Sequence, residues 1–487
     1  MIPIKLSRRG LLAGLAAGTG SALMRIYGCS RVPPGKIRFD GDPTRLDLSE
    51  ASVLIQRGEL SPVDATRSCL ERIERVDKRL NSFITVSAEQ AMDAARQAEN
   101  EIATGLWRGP MHGVPIGVKD NVDTAGILTT AASQVFANRV PLKDAEVIKT
   151  LRNAGAIILG KLNMHEFAQG TTSAISHYGA VRNPWNVDRV AGGSSGGSGA
   201  AVAAGLCFGA VGTDTGGSIR IPASCCGIVG LKPTFGVVSA KGTIPVSPSF
   251  DHVGPMCRTV KDTAFMFQAM TGNPAAFEFD TASEQAVSGL RIGLLSDSDG
   301  ICDVPIVPEV RAVTDVAIDV IRSLVAGVKN AALPMPDLGE IIDYESYSYH
   351  AQFFIDKAGL YDKSTLSEIR RGRNVSKKAY NSLIERLDRH RKSIQNVFDD
   401  VDLVVVPTLP ELPIAIKDAT EPFSQNACTF AFSIAGLPAI SVPCGFSESG
   451  LPIGLLISGP PFSEGRLLAL AMAYEKAAGW DKRRPDI

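Results

Sequence analysis

Residues 192–233 read GGSSGGSGAAVAAGLCFGAVGTDTGGSIRIPASCCGIVGLKP, two serine-bearing glycine turns around one short apolar run. The run over 206–211 has the length and continuity of a buried strand, which Gly212, Gly216 and Gly217 are expected to break. Ser218 then falls at a strand end, on a turn whose free backbone amides can point at developing negative charge. Residues 199–204 propagate a helix straight from the first turn. By composition alone GGSSGGSG reads equally as a flexible tether; the helix makes it a helix-opening device with free amides.

Working outward, residues 48–80 read as two helices, with Ser49 and Ser61 as candidate N-caps and Pro62 at a first helical position. A helix over 88–104 precedes a short strand over 113–119, which ends on Lys119. Residues 145–154 follow as helix and 156–160 as strand, whereas the polar, proline-broken 182–189 reads as loop. Further on come a strand at 290–295, an amphipathic helix at 308–324 and a largely helical, polar stretch at 344–398. Strands at 402–406 and 439–443 and a helix at 464–478 complete the pattern. This alternation predicts an α/β fold, a single domain over 44–487 whose central mixed β-sheet is covered by helices on both faces.

With 487 residues, 45% of them hydrophobic, the chain can bury a substantial core. A formal net charge of -1 and no basic run give no electrostatic reason to expect nucleic acid as a partner. At the N-terminus, Arg8 and Arg9 precede an apolar, Ala/Gly-rich stretch over 11–24, too short to span a bilayer but suited to a signal segment. Residues 1–29 therefore read as a twin-arginine signal and 30–43 as a linker, which predicts export to the periplasm or cell envelope. If the segment is instead a cytoplasmic leader, the protein stays in the cytoplasm. Cys29 sits in a poor lipoprotein box, flanked by Arg25 and Tyr27. Of nine cysteines, eight follow Cys29, with no metal-ligand spacing, so buried free thiols are expected rather than a disulfide framework. No metal site and no cofactor is expected.

Gly192-Gly-Ser194-Ser-Gly196 formally matches the G-x-S-x-G nucleophile elbow, but no strand precedes it. The glycine runs also lack the lysine of a phosphate loop and the G-x-G-x-x-G of a dinucleotide site. The bland reading of Lys119 is an exposed strand-end lysine, and that of Ser218 a helix N-cap weakened by Pro222.

Four ordered blocks change the balance: GVPIGVKD at 113–120, GKLNMHEF at 160–167, GGSSGGS at 192–198 and GTDTGGSIRIP at 212–222. Together they resemble the amidase signature family of serine amidohydrolases, over essentially all of residues 44–487. The resemblance implies a Ser-Ser-Lys triad of Ser218 as nucleophile, Ser194 as bridging serine after a cis peptide bond, and Lys119 as base. It also implies an oxyanion hole of the Thr215, Gly216, Gly217 and Ser218 amides, with Ser195, Thr213, Asp214 and Arg220 as supports. Lys119 can act only when neutral, and burial beside Ile116 and Val118 shifts a lysine in that direction.

The implied reaction is hydrolysis of a small-molecule carboxamide through a Ser218 acyl-enzyme, releasing ammonia or an amine and a carboxylate. The alternative is the A-type glutaminase subunit of a transfer-RNA-dependent amidotransferase; a catalytically silent binding protein ranks third. Pocket walls are expected from 169–176 and 344–380, and a homodimer follows only from the family resemblance. No membrane span is expected in the mature chain.

Overall fold

The computed structural model describes residues 39–272, 287–295, 304–419, 426–480 and 483–487. The segment expected as a signal, 1–29, and most of the expected linker, 30–43, lie outside the described residues, and the body is one compact unit over Arg38–Ile487.

The strands in chain order are β1 Phe83–Val86, β2 Pro115–Lys119, β3 Ile157–Leu162, β4 Arg182–Asn183, β5 Asn186–Val190, β6 Gly209–Asp214 and β7 Val229–Lys232. They continue with β8 His252–Cys257, β9 Arg291–Leu295, β10 Gly327–Ala331, β11 Leu403–Pro407, β12 Ala439–Phe446 and β13 Pro452–Ser458. Eleven of them form one sheet in the order β1-β3-β2-β6-β8-β7-β12-β13-β11-β9-β10, while β4 and β5 pair separately. The sheet is mixed, since β2 runs parallel to β3 and β6 while β8 is antiparallel to β6 and β7. Every residue of β2, β3, β6 and β13 is buried, so both faces of the central sheet are covered.

The helices follow their sequence signals where those signals are local. Ser61 caps the Pro62–Leu80 helix, its side chain accepting from the Val63 and Asp64 amides. The Pro308–Leu324 helix has the expected bounds and buries Val310, Thr314, Ala317 and Ile321, one stripe at helical spacing. Ser49 is not a cap: the first helix is Leu48–Arg57, with Asp47 at the cap position. Asp262, from a distant helix, accepts from the Leu48 and Ser49 amides instead.

The decisive stretch departs from expectation at three places. The strand begins later than 206 and runs through Gly212, which pairs with Gly254 of β8. A Cβ at Gly212 would lie 2.9 Å from both Ile219 and Met256, so the glycine serves close packing rather than a break. The helix begins earlier, at Gly196–Ala203, and absorbs most of the glycine run. A Cβ at Gly197 would overlap the carbonyl oxygens of Asn163 and Ser82, so the residues that suggested a tether pack a buried helix against its neighbours. Residues 182–189, expected as loop, contribute β4 and most of β5.

The cysteines also divide. Cys69, Cys207, Cys225, Cys226 and Cys257 are buried free thiols and Cys444 is a half-buried one, whereas Cys428 is engaged in a disulfide. Among the described residues no helix is long and apolar enough to cross a membrane.

Candidate active site

The parallel strands β2 and β6 end side by side, Val118 pairing with Val211, and their carboxyl ends carry Lys119 and the turn after Asp214. Lys119 is fully buried. Its Nζ donates to Ser194 Oγ at 2.7 Å, to Thr213 Oγ1 at 2.8 Å and to the Thr213 carbonyl at 3.3 Å. Burial pushes this amine down to about 7, against the opposing pull of Asp214 and Asp251. The exposed strand-end lysine of the bland reading is thereby excluded.

Ser194 arrives from the turn before the Gly196–Ala203 helix, and the Gly193–Ser194 peptide bond is cis. Its carbonyl accepts from the His165 amide at 3.1 Å and from Ser173 Oγ at 3.2 Å. Gly193 lies so close to the Thr171–Ser173 backbone that a Cβ would fall 2.7 Å from it. Ser195 Oγ donates to the Thr213 carbonyl at 3.1 Å, tying the serine turn to β6. Asn121, which sequence reasoning did not single out, donates to Thr213 Oγ1 at 3.2 Å and completes the ring around the lysine.

Ser218 is no helix cap, since the next helix is Arg220–Cys226 with Ile219 at its cap position. Its carbonyl accepts from the Ser195 amide at 3.1 Å, which joins the two serine turns. Its side chain lines a cavity of about 310 Å³ together with Thr215 and Gly216. Among the described residues nothing hydrogen-bonds to the amides of Gly216, Gly217 or Ser218, so three adjacent donors are available at the mouth of the turn.

The turn is held from outside by residues that sequence reasoning missed. Thr429 Oγ1 donates to the Gly216 carbonyl at 2.7 Å, across 213 residues of chain. Thr215 Oγ1 donates to Asp251 Oδ1 at 2.6 Å, and Asp251 Oδ2 accepts from the Val246 and Ser247 amides. Burial pushes Asp251 up to about 7.

Below the turn, Arg220 and Asp214 are both fully buried and pair through two bonds, Nη2 to Oδ1 at 2.8 Å and Nε to Oδ2 at 2.9 Å. Burial alone would raise the Asp214 carboxyl; the Arg220 charge and its hydrogen bonds overcome that and hold it far below the usual carboxylate range. The remaining Arg220 donors go to the Thr429 carbonyl and Ser433 Oγ, and Asp214 also accepts from the Ile219 amide. The two form a fixed buried pair beneath the turn. Its acceptors on the Phe430–Ile434 helix and the residue before it carry no local sequence signal.

The expected wall segments supply Gln169, Gly170, Thr171, Glu368 and Arg371 to the cavity, joined by Ile342, Asp343, Asn426 and Phe430. Thus Lys119, Ser194, Thr213 and Ser195 form one buried hydrogen-bonded cluster, with Ser218 and the amide turn beside it and open to the cavity.

The site thus brings a buried lysine and two serine turns together at the carboxyl ends of parallel strands in a mixed α/β sheet. The sequence matches the Amidase family profile over residues 64–468, and the chain belongs to the amidase family. It is 38% identical to the A-type subunit of glutamyl-tRNA(Gln) amidotransferase from Roseiflexus sp. (strain RS-1), covering 91% of this chain and 98% of that protein. Among solved structures it resembles the peptide amidase of Stenotrophomonas maltophilia, with TM-score 0.76 and 30% identity over 91% of this chain and 98% of that one. It also resembles 6-aminohexanoate cyclic dimer hydrolase, with TM-score 0.81 and 29% identity over 92% of this chain and 99% of that one.

Proposed function

We propose that the chain hydrolyses a carboxamide by nucleophilic catalysis at Ser218. The Ser218 hydroxyl attacks the amide carbonyl while its proton passes through Ser194 to neutral Lys119. The amides of Thr215 to Ser218 receive the negative charge of the tetrahedral intermediate, each donor being worth about 3 kcal/mol. Lys119 returns the proton through Ser194 to the leaving nitrogen, and water then releases the carboxylate from Ser218. The observation that carries this reading is Lys119 Nζ, fully buried, 2.7 Å from Ser194 Oγ and lowered by burial to about 7.

A fluorophosphonate probe tests it. The wild-type chain is expected to be labelled on Ser218 and to release ammonia from simple amides, and Ser218→Ala to do neither while melting within about 2 °C of wild type. Retained amidase activity in Ser218→Ala would refute the assignment.

The similarity to an amidotransferase component favours one second reading, a glutaminase that acts with protein partners. Hydrolysis of simple amides by the purified chain alone, without partner or transfer RNA, separates the two.

Export is part of the proposal. It is supported by Arg8 and Arg9 ahead of the apolar stretch. Cell fractionation checks it: recovery in the cytosol with Met1 intact would reject export.

A further inference from the structure

The amide turn after Asp214 is steadied by a loop that is itself held by helices from the 344–398 stretch. Ser247, Pro248, Ser249 and Phe250 form a turn in which the Phe250 amide donates to the Ser247 carbonyl at 2.8 Å, with Pro248 at the second position, where its fixed φ fits. The Asp251 amide reaches the same carbonyl at 2.8 Å. The loop is thereby tied into one piece with Asp251, whose carboxylate takes the Thr215 hydroxyl at 2.6 Å. Thr215 opens the run of amides that ends at Ser218.

Glu345, on the Gly339–His350 helix, holds the other end of this loop. Its Oε2 accepts from Ser247 Oγ at 2.5 Å and from the Ser249 amide at 3.0 Å, and its Oε1 from Ser249 Oγ at 2.6 Å and Tyr380 Oη at 2.7 Å. Tyr380 belongs to the Lys377–Ser393 helix, from which Arg391 also donates to the Ser249 carbonyl at 2.8 Å. Bonds to a carboxylate are shorter and stronger than neutral ones, so the loop has little freedom relative to these helices. The Gly339–His350 helix in turn presents Gly339 and Ile342 to the cavity that Ser218 lines. We propose that Glu345 is a positioning residue for amide hydrolysis: by fixing the 247–251 loop it fixes Thr215, and with it the amides that receive the developing charge. This role rests on Ser218 as nucleophile and on the amide turn as its oxyanion site, and adds a residue that touches neither substrate nor reacting atoms.

Steady-state kinetics on a simple amide such as hexanamide decide it. Glu345→Ala leaves the loop without these acceptors and is expected to lower kcat roughly tenfold with KM little changed, because loosened donors fail the transition state more than the bound amide. Glu345→Gln should restore most of the rate. Its carbonyl oxygen can face the Ser247 hydroxyl and the Ser249 amide, while its NH2 group donates to the Ser249 and Tyr380 hydroxyls, which are able to accept. A double-mutant cycle reads the link through Asp251: in Asp251→Ala, where Thr215 has already lost its acceptor, adding Glu345→Ala should cost less than about twofold more. Where wild type turns over no simple amide, the rate of fluorophosphonate labelling of Ser218 replaces kcat.

A folded Glu345→Ala with wild-type kcat, a change confined to KM, a loss that Glu345→Gln shares in full, or equal losses with and without the Asp251 carboxylate would overturn the role of Glu345 and leave the amidase reading standing. Absence of both turnover and Ser218 labelling in wild type would overturn the amidase reading, and this role with it. If Glu345→Ala does not fold, Ser247→Ala carries the test, since it removes one loop bond to Glu345 and keeps the Ser247 amide on Asp251. A smaller loss of kcat that vanishes beside Asp251→Ala supports the role, and an unchanged kcat overturns it.

Discussion

Titrating the enzyme across roughly pH 5 to 10 reads the Lys119 amine, because base catalysis needs it neutral, with Asp251, also displaced to about 7, titrating in the same window. The lysine's descent from 10.5 to about 7 corresponds to about 5 kcal/mol by which the buried site disfavours the ammonium. The sign follows from burial. Below the displaced value the lysine is protonated in the native state, and kcat/KM is expected to fall tenfold per pH unit. Above it the rate reaches a plateau. An uncharged amide such as hexanamide is the substrate of choice, since its own ionisation cannot enter the profile.

Asp251 adds a second arm, because its charge opposes the displacement of Lys119. Asp251→Asn should move the acid limb to lower pH, and it should also lower kcat by releasing Thr215. The same displacement has a cost in stability. The unfolded chain binds a proton at Lys119 up to about 10.5 and the folded chain only up to about 7, so this group destabilises the fold below 7 and ceases to do so above 10.5. A kcat/KM that is flat from about pH 6 to 10, or that rises until about 10.5, would refute the assignment of Lys119 as a buried base.

Other expectations follow from the turn and its strut. Gly217 has φ +145°, and a Cβ there would overlap Thr429 Oγ1, so Gly217→Ala should cost about 1–3 kcal/mol in denaturant unfolding and depress kcat; a wild-type rate would contradict the clamp. Arg220→Met leaves Asp214 charged and buried, and unfolding experiments should show a loss of about 3–5 kcal/mol. Because Asp214 is depressed when folded, wild-type stability from this pair is present above its unfolded value of 3.8 and is lost as the pH falls further. Acid unfolding of wild type and Arg220→Met should therefore converge. Thr429→Val removes the bond to the Gly216 carbonyl and should lower kcat more than it raises KM, which steady-state kinetics will resolve.

The fold is most legible where the pattern is local. The Pro308–Leu324 and Glu464–Ala478 helices match their apolar periodicity to the residue, and Lys119 ends its strand as read. Strand β8 escapes a reading of the sequence because Gly254 and Pro255 argue against a strand by composition, yet both are paired in the sheet, opposite Gly212 and Val211. The cluster of Lys119, Ser194, Thr213 and Ser195 lies within motif-bearing segments, which is why its members are nameable from sequence. Thr429, Ser433, Asp251 and Asn426 are not, since each contributes through tertiary placement and none sits at a spacing that signals its role. The disulfide at Cys428 is invisible for the same reason.

The bond from Thr429 to the Gly216 carbonyl bears on the timing of biosynthesis. A ribosome adding roughly 5–20 residues per second takes on the order of 10–40 s to cover the 213 residues between the turn and its clamp. Through that interval the nascent chain holds its lysine and both serines, but the amide turn lacks the hydroxyl that fixes it and Arg220 lacks its acceptors on Thr429 and Ser433. Completion of the turn's support is therefore a late event in the life of the polypeptide, coupled to the emergence of its C-terminal segment.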